Sequence, residues 1–144
     1  NGISLIAFSP LASGLFPGKY NTSSRFEKGD QRERVGEDGL LLFQNDWWSK
    51  AIDVVEKIKP FAERHGKTIA QVALNWVTTR TAISSVTAGA KSPEQVKQNV
   101  DSVGWDLSSQ EQEALEALSS AFTDQLPEYL HYFLKMIPES REDG

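Results

Sequence analysis

The sequence predicts an α/β fold in which short parallel strands end in loops that face a ligand. Two mostly apolar runs support this fold class. Residues 3–8 are rich in branched side chains, as expected for a strand buried on both faces of a parallel sheet, and residues 83–88 form a second strand-like run. Stretches with apolar residues at helical spacing separate and follow the two runs.

The first strand breaks at Pro10 and continues into small residues, which favours a loop able to wrap around a ligand. Ser9 and Ser13 carry hydroxyls that could meet phosphate oxygens, and Gly14 follows directly. Phe8 closes the strand. Its ring fits two roles, an ordinary core residue or a stacking surface, and the pattern alone favours the core.

Residues 21–46 are predicted to form a long loop with polar clusters and glycines. Its arginines Arg25, Arg32 and Arg34 alternate with acidic residues, namely Glu27, Asp30, Glu33 and Glu37. A solvated, salt-linked loop is the favoured interpretation, and a phosphate clamp is the alternative.

Two helices are predicted next. Residues 47–65 carry apolar side chains at helical spacing, with Pro60 expected to bend or break the helix and Gly66 expected to end it. Thr68 and Gln71 form a capping box that starts the second helix.

The sharpest motif is the junction that follows the second strand-like run. Ser92 is a good N-cap, Pro93 suits the first helical position, and Gln95 completes a capping box, so a helix should begin here. Helix N-termini attract anions; Lys91 adds a positive charge, and Gly89 permits close approach to the backbone. The motif therefore predicts a phosphate site.

Beyond that site, Gln95, Gln98 and Asn99 fall at helical spacings of three and four, so their amides could read a planar polar group such as adenine. A capped helix with a solvated polar face explains the same residues about as well.

The last part of the chain is predicted to be helical scaffold. Ser108 and Glu111 cap one helix. Residues 127–137 form a helical stripe for which docking on the body of the fold is favoured over a lid; Tyr129, Tyr132 and Phe133 are possible substrate contacts under the second interpretation. Residues 139–144 should fray.

Composition is typical of an ordered globular protein, with 39% hydrophobic and 24% charged residues among 144 and a net charge of −5. The acidic balance argues against nucleic acid as a partner. No apolar run reaches the roughly 20 residues needed to span a bilayer, and no leader is apparent, so a cytoplasmic protein without a membrane partner is expected. Because Cys is absent and the two His are far apart, no metal site is expected.

The two junctions together resemble the C-terminal half of the aldo-keto reductases. The similarity runs from residues 8–20 through the helix at residues 68–76 and the junction at residues 89–99 to Trp105-Asp106-Leu107. It implies a (β/α)8 TIM barrel, present here in its C-terminal part, with residues 3–8 as strand seven and residues 83–88 as strand eight. It also divides the chain into a barrel part, residues 1–120, and a C-terminal extension, residues 121–144.

The resemblance implies NADP as cofactor and assigns its contacts. Phe8 matches an aromatic residue that stacks on the nicotinamide, while Lys91 and Ser92 match the pair that holds the 2′-phosphate. The pyrophosphate side is matched by Ser9, Leu11, Ser13, Lys19 and Arg25, and the adenine side by Gln95, Gln98 and Asn99. Many family members carry an acid at position 98, so the amide here implies a weaker grip on the adenine amino group.

The family's catalytic Asp, Tyr, Lys and His come from strands that have no counterpart in this chain, so the chain is interpreted as an inactive fragment of a longer enzyme. The implied activity is reduction of aldehydes or ketones by NADPH. Two alternatives are a cofactor-binding regulatory subunit of the potassium-channel beta type and a catalytically silent scaffold. The carbonyl substrate and the oligomeric state are left open.

Overall fold

A computed structural model describes residues 3–30, 32–33 and 41–126. It contains two strands and four helices: β1 (Leu5–Phe8), α1 (Asn45–His65), α2 (Ile69–Thr78), β2 (Ile83–Thr87), α3 (Pro93–Val100) and α4 (Ser109–Thr123). Short 3-10 turns lie at Ala12–Gly14 and Leu41–Phe43. The chain divides into two compact units, one with β1, β2, α3 and α4, the other covering residues 11–73. The division falls within α2.

The two strands pair in parallel, as the sequence predicts. Leu5 lies opposite Ile83 and Phe8 lies opposite Thr87, with an irregularity between Leu5 and Ile6. Parallel pairing brings the carboxyl ends of both strands to the same edge of the sheet, so the two predicted junctions begin side by side.

The prediction that the first strand is buried on both faces is wrong for the described part of the chain. Leu5 and Ala7 are partly covered, whereas Ile6 and Phe8 are 67% and 81% exposed. Alternate side chains of a strand point to opposite faces, and the described residues pack on only one of them.

The second unit is built on α1. Its buried cluster contains Leu15, Phe43, Trp48, Ala51, Ile52 and Val55. Phe43 stacks on Trp48 with ring centroids 5.4 Å apart, and Phe26 meets Phe43 edge-on at 5.4 Å. Leu15 is thus buried in the core of the helix, and Phe26 packs against that core.

Pro60 was expected to bend or break the helix. It does not break it, because α1 runs without interruption from Asn45 to His65. Proline removes a single N–H donor, and Pro60 lies on the exposed face, where water can satisfy the freed carbonyl. Gly66 ends the helix as predicted, with a left-handed φ of 60°, and Lys67 N–H donates to Ala62 O at 2.9 Å.

Both predicted capping boxes at α2 and α4 are confirmed. Thr68 N–H donates to Gln71 Oε1 at 2.9 Å, and Gln71 N–H donates to Thr68 Oγ1 at 3.2 Å. At α4, Ser108 N–H donates to Glu111 Oε2 at 2.9 Å, and Glu111 N–H donates to Ser108 Oγ at 3.3 Å. Leu115 on α4 is buried.

Several predictions concern residues outside the described ranges, among them Arg34, the helical stripe at residues 127–137 and the fraying of residues 139–144. Within the described ranges, no helix is both long enough and apolar enough to cross a membrane.

Candidate functional site

The carboxyl edge of the sheet brings together the first group of predicted site residues. Phe8 closes β1 opposite Thr87 of β2, so Ser9 and Gly89 both lie just beyond this edge. The ring of Phe8 is 81% exposed, which is the condition for stacking on a planar ligand and not that of a core residue. Ser9 has a left-handed φ of 52°, an uncommon conformation for a residue other than glycine.

The helix predicted after the second strand begins where the sequence places it. Ser92 is the N-cap, Pro93 is the first helical residue, and Ser92 Oγ accepts the Gln95 N–H at 3.3 Å. The reciprocal bond of the capping box is displaced by one residue, because Gln95 Oε1 accepts from Lys91 N–H at 2.7 Å instead of from Ser92. Gln95 thereby fixes the backbone of Lys91, whose side chain is exposed.

The amides predicted to face adenine are partly committed to the protein itself. Asn99 Nδ2 donates to Gly89 O at 3.3 Å and so ties the last turn of α3 to the start of the junction that follows β2. Gln98 lies on the exposed surface of the same helix. Gln95 and Asn99 therefore shape the junction.

Glu94 is a residue of this site that the sequence interpretation did not single out. Its pKa lies below the usual value, first because its carboxylate accepts a hydrogen bond from its own backbone N–H and second because it is hydrogen-bonded to the Ser92 side chain. The start of α3 thus stabilises a negative charge. The available signal was an acidic residue in the first helical turn, next to the cap.

The second group of predicted residues lies in the other unit, on the loop after β1. Leu11 O accepts the N–H groups of Gly14 and Leu15 at 3.0 and 3.1 Å, which closes a tight turn. Within it, Ala12 and Ser13 have left-handed φ values of 47° and 54°. Strained backbone of this kind concentrates at ligand-binding turns.

The basic residues of this loop differ in their surroundings. Lys19 is exposed, with Nζ 5.0 Å from the centre of the Tyr20 ring. Arg25 is also exposed, and its guanidinium donates to Ser24 O, the carbonyl of the preceding residue, at 3.0 Å.

Arg32 is held more firmly than the other described arginines of this loop. Its Nε donates to Asp30 Oδ1 at 2.8 Å, further bonds join it to Asp30 and to the Tyr20 hydroxyl, and its charge lies 4.8 Å from the Phe26 ring centre. The bond to Asp30 is the main cause of a pKa raised above the usual arginine value. For Arg32 the salt-linked interpretation is confirmed.

An open cleft of about 330 Å³ lies in the first unit between α2, β2 and α3. Its walls are mainly apolar and include Leu74, Val86, Val96 and Val100. Such a lining suits neither phosphate nor a polar substrate. Among the described residues no cluster of His, Asp and Glu could hold a metal ion.

The described residues of this site favour the binding of an anion, and we identify no set of catalytic side chains among them. It offers an anion-stabilising helix start, an exposed lysine and an exposed aromatic ring. The predicted contacts fall in two separately described units, Leu11, Ser13, Lys19 and Arg25 in one and the remainder in the other.

Comparisons with known proteins point in one direction. Residues 1–120 match the model of the aldo/keto reductase family. The chain is 31% identical over 121 residues to the NADH-specific methylglyoxal reductase of Escherichia coli, covering 84% of this chain and 35% of the relative. It is 34% identical over 103 residues to a probable voltage-gated potassium channel subunit beta of Arabidopsis thaliana, covering 72% and 30%.

A solved structure agrees with this result. The glycerol dehydrogenase of Gluconobacter oxydans superposes with a TM-score of 0.71 at 26% identity, covering 86% of this chain and 36% of its own. The chain spans about a third of the length of the curated relatives it matches.

Proposed function

The chain belongs to the aldo/keto reductase family, and on that premise we propose that it is the cofactor-binding part of an NADP(H)-dependent oxidoreductase that interconverts carbonyl compounds and alcohols. In this proposal the described strands are the last two of a (β/α)8 barrel. Catalytic residues would come from preceding strands of the full-length protein, with an Asp, a Tyr, a Lys and a His in the pattern of the family.

The observation that carries the proposal is the start of α3 beside the carboxyl edge of the parallel strands. Barrels of this type place their chemistry at that edge, and helix N-termini bind phosphate. The lowered pKa of Glu94 accords with a helix start that favours negative charge.

The residues present fit a nicotinamide dinucleotide. Lys91 and Ser92 would hold the 2′-phosphate, Phe8 would stack on the nicotinamide, and Gln98 would face adenine, with Gln95 and Asn99 shaping the wall between them. On the loop of the second unit, Leu11, Ser13, Lys19 and Arg25 would contact the pyrophosphate and its sugars. Ser9 and Gly89 would line the strand edge below.

The bound nicotinamide supplies or accepts the hydride, and the protein's part is to orient it. The stacked ring of Phe8 would fix one face of the nicotinamide, so that only the opposite face meets the substrate. A small carbonyl compound is the proposed substrate class. It accords with the name of the methylglyoxal reductase among the relatives.

Preference for the 2′-phosphate is the finer part of the proposal, because one relative is named as NADH-specific. It rests on Lys91, whose backbone is fixed by Gln95 and whose side chain is exposed beside the helix start. An ammonium group there gains a charged hydrogen bond only when the phosphate is present.

The test is a fluorescence titration of full-length protein with NADPH and NADH. Lys91→Ala should weaken the binding of NADPH by roughly 1.5–3 kcal/mol, the usual contribution of a charged hydrogen bond. The binding of NADH should be nearly unchanged. Lys97→Ala, on the same helix but paired with Asp101, is the matched control and should affect neither cofactor. Equal losses for both cofactors in Lys91→Ala would contradict the assignment.

A regulatory subunit is the second candidate, favoured by the similarity to a channel beta subunit. Both candidates bind the cofactor, so turnover separates them. Steady-state oxidation of NADPH by the full-length protein with a panel of small aldehydes and ketones should be rapid for a reductase. Tight NADPH binding without turnover, together with association with a membrane channel, would favour the subunit. Failure to bind either nicotinamide cofactor would leave a silent scaffold.

The proposed partners are accordingly a small carbonyl substrate and NADP, with no nucleic acid and, for the reductase, no membrane. A cytoplasmic location is proposed together with the reductase activity.

A further inference from the structure

Asn75 on α2 is an amide side chain buried in the first unit, with only 2% of its surface exposed. Its Nδ2 donates to two backbone carbonyls, Ser102 O and Trp105 O, both at 2.9 Å. These carbonyls belong to the turn that follows α3. One side chain therefore fixes the chain immediately after the end of α3.

The orientation of this amide is determined by its surroundings. Two carbonyl oxygens converge on one end of the side chain, and only an NH2 group can satisfy both of them. Asn75 Oδ1 is buried and has no hydrogen-bond partner among the described residues. A buried acceptor left in this way costs free energy, which the two donated bonds offset.

The bonds of Asn75 continue into α3. Ser102 Oγ donates to Asn99 O at 2.6 Å, and Asn99 Nδ2 donates to Gly89 O at 3.3 Å. The path runs from Asn75 on α2 through the turn after α3 and the last turn of α3 to Gly89, two residues before Lys91. Each step is a hydrogen bond within one compact unit.

We propose that Asn75 is a positioning residue that sets the place of α3, and through it the adenosine 2′-phosphate end of the cofactor site. This role rests on the proposed function. Asn75 touches no ligand itself. Without its two bonds, α3 would keep its own cap at Ser92 but lose the anchor at its far end, so the N–H groups aimed at the phosphate would no longer be held in one place.

The experiment compares two near-isosteric substitutions of buried amides on α2. Asn75→Leu removes the anchor of α3, whereas Gln71→Met, one turn earlier, removes the α2 cap bond to Thr68 and neither bond of Asn75 to the turn after α3. Calorimetry with 2′,5′-ADP measures the affinity of full-length protein for the adenosine end alone. Hydrogen exchange without ligand measures the order of residues 89–100.

We expect Asn75→Leu to weaken the binding of 2′,5′-ADP about tenfold and to speed amide exchange across residues 89–100. Gln71→Met should change neither the affinity nor the exchange. Both variants should have lower thermal stability. Ser102→Ala removes only the middle bond of the path and should give a smaller loss in the same direction; it also serves if Asn75→Leu fails to fold. A purely structural role would lower stability in both α2 variants alike and leave the affinity of the folded protein unchanged.

Equal affinities in the unsubstituted protein, Asn75→Leu and Ser102→Ala would overturn the positioning role and leave the proposed function standing. Absence of 2′,5′-ADP binding in the unsubstituted protein would instead overturn the proposed 2′-phosphate site, and the role of Asn75 with it.

Discussion

At the scale of a single residue, the pKa of Glu94 reflects how the start of α3 stabilises a negative charge. Its carboxylate accepts a hydrogen bond from its own backbone N–H and is hydrogen-bonded to the Ser92 side chain. Its lowered pKa means that the charged form is favoured in the folded protein. Stability from this group is therefore fully present above the unfolded pKa, which is 4.5 in model compounds, and is lost as the pH falls through the lower folded value.

An NMR titration of the Glu94 carboxyl group should consequently give a midpoint below 4.5. Ser92→Ala removes one of the two stabilising hydrogen bonds and should raise that midpoint toward its usual value, without restoring it completely, because the backbone N–H remains. A midpoint that Ser92→Ala leaves unchanged would contradict the described cap.

At the scale of a single element, α1 has two positions, one inside the helix and one just after it, where a substitution tests the effect of backbone conformation on stability. Pro60 lies inside the helix on its exposed face, and Gly66 follows its end with a φ of 60°. A Cβ built on Gly66 would meet nothing within 4 Å, so any cost of a side chain there comes from the left-handed backbone alone.

We therefore expect opposite effects from two alanine substitutions in α1. Pro60→Ala restores a donor to the helix and should stabilise the protein by about 1–3 kcal/mol. Gly66→Ala forces a Cβ into the left-handed region and should destabilise it by about 1–2 kcal/mol. Urea unfolding of both variants checks the pair. A destabilising Pro60→Ala would show that the helix depends on the proline.

At the scale of the whole molecule, several large apolar side chains lie exposed on β1 and around α3. The set comprises Ile3, Ile6, Phe8, Val96, Val100 and Val103, each more than half exposed. Apolar surface in this amount is unusual for a stable monomeric domain. Under the proposed function, further strands and helices of a barrel would cover this surface except for Phe8, whose ring would face the nicotinamide.

The 144-residue chain expressed alone should consequently be helical but loosely packed. Its capped helices depend on local bonds, whereas the two paired strands lack the neighbours of a closed barrel. Circular dichroism should show strong helix signal, while amide protection in Leu5–Phe8 and Ile83–Thr87 stays weak. Slow exchange in both strands, with a sharp cooperative melt of a monomer, would contradict the proposal that the chain is part of a larger barrel.

The sequence by itself determined the features that depend on neighbours within a few positions. The cap of α3 at Ser92, the boxes at Thr68 and Ser108 and the end of α1 at Gly66 all follow from bonds spanning three to five residues. Such signals are local, so they can be recognised without any knowledge of the fold. Parallel pairing of the two strands was also predictable, because two apolar runs with intervening helices favour it.

Only the tertiary structure decided how those elements are anchored and exposed. The bond from Asn75 to Ser102 joins residues 27 positions apart, and no periodicity or cap motif marks it. Exposure of Phe8, continuity of α1 through Pro60 and the commitment of Asn99 to Gly89 likewise depend on what packs nearby. The physical reason is the same in each case: burial and long-range hydrogen bonding are set by the folded surroundings, whereas capping is set by the adjacent backbone.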